Sequence, residues 1–131
     1  MNENVLQSIH RHLDADGKLT CAAAFRVAAE AGVPPEAIGR AADEAGIRLT
    51  RCQLGLFGYG PKATGEHKIV TAMANVPPAL EQAIGERLDE GRLPCASAWE
   101  IASLLRIARM EVAAAAEALG IKIIRCQLGA F

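Results

Sequence analysis

Aromatic side chains are scarce in this sequence: three Phe, one Trp and one Tyr among 131 residues. The core must therefore come mainly from Ala, Leu, Ile and Val, within an apolar fraction of 51%. That mixture favours helix, because Ala and Leu lose least on entering one. Net charge is scarce as well. The formal value of −1 excludes a global basic field that would draw in nucleic acid or an anionic membrane. Residues 1–57 carry six Lys/Arg and seven Asp/Glu, and so do residues 77–131. Only the stretch between them, with Lys62 and Lys68 against Glu66, has a positive excess. No apolar run reaches the roughly 18 residues of a membrane span. The opening MNENVLQSIH lacks the basic start and long apolar core of a signal peptide. A cytoplasmic protein without a membrane partner is expected. In that compartment four cysteines read as free thiols, a metal site or a redox pair rather than a disulfide scaffold.

What the sequence does have is a duplication. Shifted by 74 residues, segment 17–57 overlays 91–131 without a gap, and 16 of the 41 pairs are identical. Cys21/Cys95, Ala28/Ala102, Gly46/Gly120 and Ile47/Ile121 are among them. The densest match sets Arg51-Cys52-Gln53-Leu54-Gly55 against Arg125-Cys126-Gln127-Leu128-Gly129, with Phe57/Phe131 two residues on. Three segments follow: a first repeat (1–57), a connector (58–76) and a second repeat (77–131). Two copies are too few for a solenoid and suit a pseudo-symmetric pair, one chain imitating a two-fold dimer.

Within copy one the spacing predicts a helix over 4–14, with Val5, Leu6, Ile9 and Leu13 on one stripe. Lys18-Leu19 is a short extended piece. Thr20 caps a second helix over 21–31, which Gly32 stops. Pro34-Pro35 start a third helix running to about Ala45, and Gly46 ends it. Ile47 to Cys52 alternates with period two, as a strand does. Copy two repeats the order, with helices from Pro78 to about Glu90, near 95–105 and near 109–119, then a strand from Ile121 to Gln127.

Helices two and three resemble a helix-turn-helix. Ala28 is the small contact residue, Gly32 the turn glycine, Val33 the pivot and Ile38 the branched apolar residue. Ala102, Ile107 and Val112 repeat the pattern. Copy two departs at the turn, where Arg106 replaces the glycine, a residue that does not favour a tight turn. The preceding helix and flanking short strands look like the winged variety. Leu54 to Gly65 would be the wing of copy one, and His67-Lys68-Ile69-Val70 its returning strand. The fold class expected is mainly α with short β strands, as two tandem winged-helix-like repeats.

The resemblance implies a transcriptional regulator that binds double-stranded DNA. The third helix would enter the major groove, bringing Arg40 and Arg109 to the duplex, with Lys62 and Lys68 on the wing and Arg51 and Arg125 on the strands. Cations are few on the third helices, although phosphate contacts normally supply most of the affinity. The alternative is a non-catalytic protein-interaction module on the same scaffold, with a homodimer also open. The cysteines, Cys21 and Cys52 in one copy and Cys95 and Cys126 in the other, admit three readings. They are small core residues, a redox pair favoured by helix N-termini and adjacent arginines, or zinc ligands converging across the pseudo-two-fold, despite the lack of a Cys-x-x-Cys pair. No cofactor is otherwise implied. No nucleophile and base stand together, and Gly58-Tyr59-Gly60-Pro61-Lys62 lacks the spacing of a phosphate-binding loop, so catalysis is not expected. The repeated Gln-Leu-Gly-x-Phe reads as structural, with Leu54 and Phe57 capping the core and Gly55 providing a turn, or as a recognition loop, a reading that no mechanism selects.

Overall fold

The computed structural model describes residues 3–131, so the first two residues of the first repeat lie outside the description. The chain is mainly helical. Copy one consists of α1 (Glu3–Arg11), β1 (Leu19–Thr20), α2 (Cys21–Ala31), α3 (Pro35–Glu44) and β2 (Leu49–Thr50). Copy two repeats it as α4 (Pro78–Gly85), β3 (Leu93–Pro94), α5 (Cys95–Leu105), α6 (Arg109–Ala118) and β4 (Ile123–Ile124). The bounds of α2 and α5 are those expected. No helix among the described residues is long and apolar enough to cross a membrane.

Local chemistry explains the ends. The Thr20 hydroxyl accepts a hydrogen bond from the Ala23 N–H at 3.1 Å, satisfying one of the orphan donors of α2. Gly32 ends α2 in the left-handed region, at φ 66°. Arg106 adopts the same conformation, at φ 56°. The turn of copy two is therefore as tight as that of copy one, against expectation. The helix–helix contact of each pair enforces it at the expense of a side chain held where glycine is at ease. Helix α1 stops earlier than expected because the Asp14 carboxylate accepts the N–H groups of Asp16 and Lys18, at 2.9 and 3.0 Å, and turns the chain. Helix α4 stops at Gly85 rather than near Glu90. A tight turn follows, with Glu90 and Gly91 both at positive φ and Asp89 bridged to Arg92.

The strands are shorter than the alternation suggested, two residues each. They pair within a copy and in parallel: Leu19 with Leu49 and Thr20 with Thr50, then Leu93 with Ile123 and Pro94 with Ile124. The expected wing hairpin does not form. Lys62–Thr64 is a turn of 3-10 helix, and residues 67–70 join no strand. Instead the Ile69 and Val70 N–H groups both donate to the Gly55 carbonyl, at 2.9 and 3.1 Å.

The described residues form two hydrophobic cores, which exchange parts. The core of copy two takes in Cys52, Leu54 and Val70, with Leu56 and Phe57 packed against it. The core of copy one takes in Leu128, with Trp99 and Cys126 packed against it. Each Cys-Gln-Leu-Gly-x-Phe tail thus crosses to the other copy. The tails share one shape, closed by the Cys52 N–H on the Phe57 carbonyl and by the Cys126 N–H on the Phe131 carbonyl, both at 3.2 Å. Gly39, at the centre of α3, lies against the crossing tail: a Cβ there would fall 1.7 Å from the Leu128 carbonyl oxygen. Phe25 and Trp99, equivalent residues of the two copies, meet with ring centroids 4.3 Å apart.

Candidate binding site

The crossing tails and the third helices enclose a cleft of about 1780 Å³. It straddles the two copies, since Gly39/Ala113, Asp43/Glu117, Arg48/Lys122 and Arg51/Arg125 all line it as equivalent pairs. Eight of the fourteen Lys/Arg side chains border it, all four lysines included, against five of the fifteen carboxylates. A nearly neutral chain thereby gathers a local positive excess, which the sequence totals hide. Arg40, Arg51, Lys62, Lys68 and Arg125 are all in this cleft. Two of them are already paired, Lys68 with Glu117 and Arg125 with Asp89. Arg51 and Arg125 both take positive φ, 49° and 51°, so the chain turns sharply at the start of each tail.

Arg109 does not join them. Its guanidinium lies 3.6 Å from the centre of the Trp99 ring and bonds the Gln53 side-chain oxygen, which holds the tail of copy one onto copy two. A cation stacked on an aromatic face and half removed from water stabilises by about 0.5–2 kcal/mol. Gln53 and Trp99 were missed as a seat for this arginine, and the repeated Gln-Leu-Gly was the signal that could have found it.

The faces that a helix-turn-helix would offer to a duplex are largely covered. On α6, Ala113 is 0% exposed, Met110 lies against Gly55, Glu117 holds Lys68 and the Ala114 carbonyl accepts the Met73 N–H at 3.0 Å. On α3, Gly39 is buried under Leu128, while Glu36, Arg40 and Asp43 remain exposed.

The cysteines are free thiols, three buried and Cys126 half-buried. Cys21 and Cys95 open α2 and α5, and their sulfurs accept from Gln53 and Gln127 at 3.7 Å. Burial pushes the Cys21 thiol up to about 11 and raises Cys52 and Cys95 too. The lowering expected from a helix N-terminus is thus overturned, because desolvation of the thiolate outweighs it. The thiols lie near enough that charge on Cys52 or Cys126 would oppose ionisation of Cys21. Among the described residues no three His, Cys, Asp or Glu side chains are arranged to hold a metal ion.

Comparison with protein-family models, curated proteins and solved structures finds no match to this chain.

Proposed function

We propose that this protein is a non-catalytic protein-interaction module on a tandem helix-turn-helix scaffold, with the inter-repeat cleft as its binding surface. The observation that carries this reading is the cover over α6. Residues of the crossing tail and the connector occupy the face that would enter a major groove, so docking on DNA in that way requires displacing buried Leu54 and Val70. The cleft itself is concave, mixes charged with apolar lining and has the volume to take a peptide segment.

Selection of displayed random peptides against the folded chain tests it. The expected result is a family of related peptides that compete with one another and lose binding when charges in the cleft are reversed. Failure to enrich any family refutes the reading.

One observation favours double-stranded DNA as a second reading. Arg48/Lys122 and Arg51/Arg125 place four cations as equivalent pairs in the cleft, which suits a two-fold polyanion contacted along its backbone. Titration of labelled duplex by fluorescence anisotropy at two salt concentrations tests it, because phosphate contacts weaken steeply with salt. Binding with that salt dependence, lost in Arg51→Glu with Arg125→Glu, moves the function to nucleic acid. No binding at low salt retires it.

A further inference from the structure

The two copies are equivalent in sequence but not in cover, and the difference outlines an empty seat. After the tail of copy one, the connector folds back over α6. There Val70 is 7% exposed, the Ile69 and Val70 N–H groups donate to the Gly55 carbonyl, the Met73 N–H donates to the Ala114 carbonyl, and Lys68 pairs with Glu117. The positions equivalent to Gly55, Ala114 and Glu117 are Gly129, Arg40 and Asp43. All three are exposed. Gly55 has Val70 in tight contact, whereas nothing lies within 4 Å of a Cβ built on Gly129. Among the described residues no hydrogen bond reaches the Gly129 carbonyl. Phe57 is half-buried, and its equivalent Phe131 is 45% exposed. Glu36 and Arg40 line the cleft, while their counterparts Met110 and Ala114 do not.

We infer that this uncovered face, between α3 and the tail of copy two, binds a short peptide in the way copy two binds residues 68–73 of its own chain. This rests on the protein-interaction reading and gives its partner a chemistry. The backbone of the guest donates to the Gly129 carbonyl, as Ile69 and Val70 do to Gly55. A small branched apolar residue covers Gly129, in the place of Val70. Two residues before it, a Lys or Arg faces Asp43, as Lys68 faces Glu117. Three residues after it, where copy two has Met73 at Ala114, copy one presents Arg40, and the guest carries Asp or Glu. The seat therefore selects a segment of the form basic, any, branched apolar, any, any, acidic. The internal contact supplies the backbone geometry, and the two exposed charges of α3 supply the selectivity.

The test uses the full chain and a fluorescein-labelled peptide of residues 65–75 carrying Met73→Glu. Anisotropy should rise to saturation, and Arg40→Glu with Asp43→Lys should weaken binding. Each exposed ion pair is worth about 0.2–1 kcal/mol, so about 1.4- to 5-fold apiece. A peptide with both charges reversed should recover the loss on the reversed protein. Absence of binding, or binding indifferent to the reversal, overturns the inference. A chain that is already dimeric, and that the peptide dissociates, makes a second copy the occupant and overturns it likewise. So does a labelled duplex that needs Arg40 and Asp43 while the peptide does not bind. If the peptide fails and random-peptide selection still yields a cleft-binding family, the seat is refuted and the interaction module stands. If both fail, the module falls too.

Discussion

Replacing Gly39 by Ala should destabilise this protein, although the same exchange in an open helix stabilises. Gly39 is interior to α3, and Ala there would gain roughly 0.5–1 kcal/mol in backbone terms. The new methyl, however, meets the Leu128 carbonyl at 1.7 Å and the Leu128 carbonyl carbon at 2.8 Å. Both are backbone atoms of the crossing tail, with no flexible side chain to swing aside. The tail must lift, drawing Leu128, 3% exposed, from the core of copy one. Losing the burial of one Leu costs about 1.5–3 kcal/mol. The net loss is about 1–2 kcal/mol, or a fall in Tm of roughly 3–10 °C for a chain of this size. Gly85 in α4 is the control, because a Cβ there meets nothing within 4 Å; Gly85→Ala should raise Tm. Chemical and thermal unfolding of both variants measure the contrast. Removal of residues 127–131 should then turn Gly39→Ala from destabilising to stabilising. If Gly39→Ala raises Tm in the full chain, the crossing tail does not pack on α3 as described.

Other expectations follow from single residues. Arg106 holds φ 56°, so Arg106→Gly should stabilise by about 1 kcal/mol, read from the urea midpoint at constant slope. Gly32→Ala has free space around it but φ 66°, and should cost a similar amount. Thr20→Ala removes the side-chain cap on α2 and should cost about 1 kcal/mol, whereas Pro94 at the same place in copy two makes no side-chain cap bond. For Cys21 the folded thiol titrates at about 11 against an ordinary 9.0. The unfolded chain gives up its proton first, so stability from this group is intact below pH 9 and is lost as pH rises towards 11. The loss is on the order of 2–3 kcal/mol. Unfolding followed from pH 8 to 11 should show the decline, and Cys21→Ala should lessen it without abolishing it, because the buried Cys52 and Cys95 thiols are raised as well. A thiol reagent at pH 8 should modify Cys126 well before Cys21, and equal rates would contradict the burial described.

Much of the secondary structure was legible because it is encoded locally. Thr20, Gly32 and the Pro34-Pro35 pair punctuate copy one in the sequence itself, and α2 and α5 follow from them. What is enforced at a distance was not legible. Arg106 gives no sign of a tight turn; the packing of α5 on α6 imposes it. The alternation from Ile47 to Cys52 suggested a longer strand, yet only Leu49 and Thr50 find a partner, since β1 offers two residues. The winged-helix resemblance suggested a wing from Leu54 to Gly65 and a returning strand over His67 to Val70, but the Ile69 and Val70 N–H groups go to the Gly55 carbonyl instead. The grouping of Arg40, Arg51, Lys62, Lys68 and Arg125 was legible as residue type. Their single cleft, and the removal of Arg109 from it, depend on the crossing tails. The Arg-Cys-Gln-Leu-Gly repeat does cap a core through Leu54, as its residue types suggested, but the core belongs to the other copy.

The exchange of tails also sets an order of events in synthesis. Copy one leaves the ribosome first, with α1, α2 and α3 complete, but its core still lacks Leu128 and the cover of Trp99. Its folding cannot finish locally and must wait for nearly the whole of copy two to be translated. Until then the surface destined for the tail is bare, a period in which such chains are open to misassociation. Copy two never waits, because Leu54 and Val70 are already made when its helices emerge. The same asymmetry makes the tail of copy two, and not the first repeat's own sequence, the point at which the core of copy one is completed.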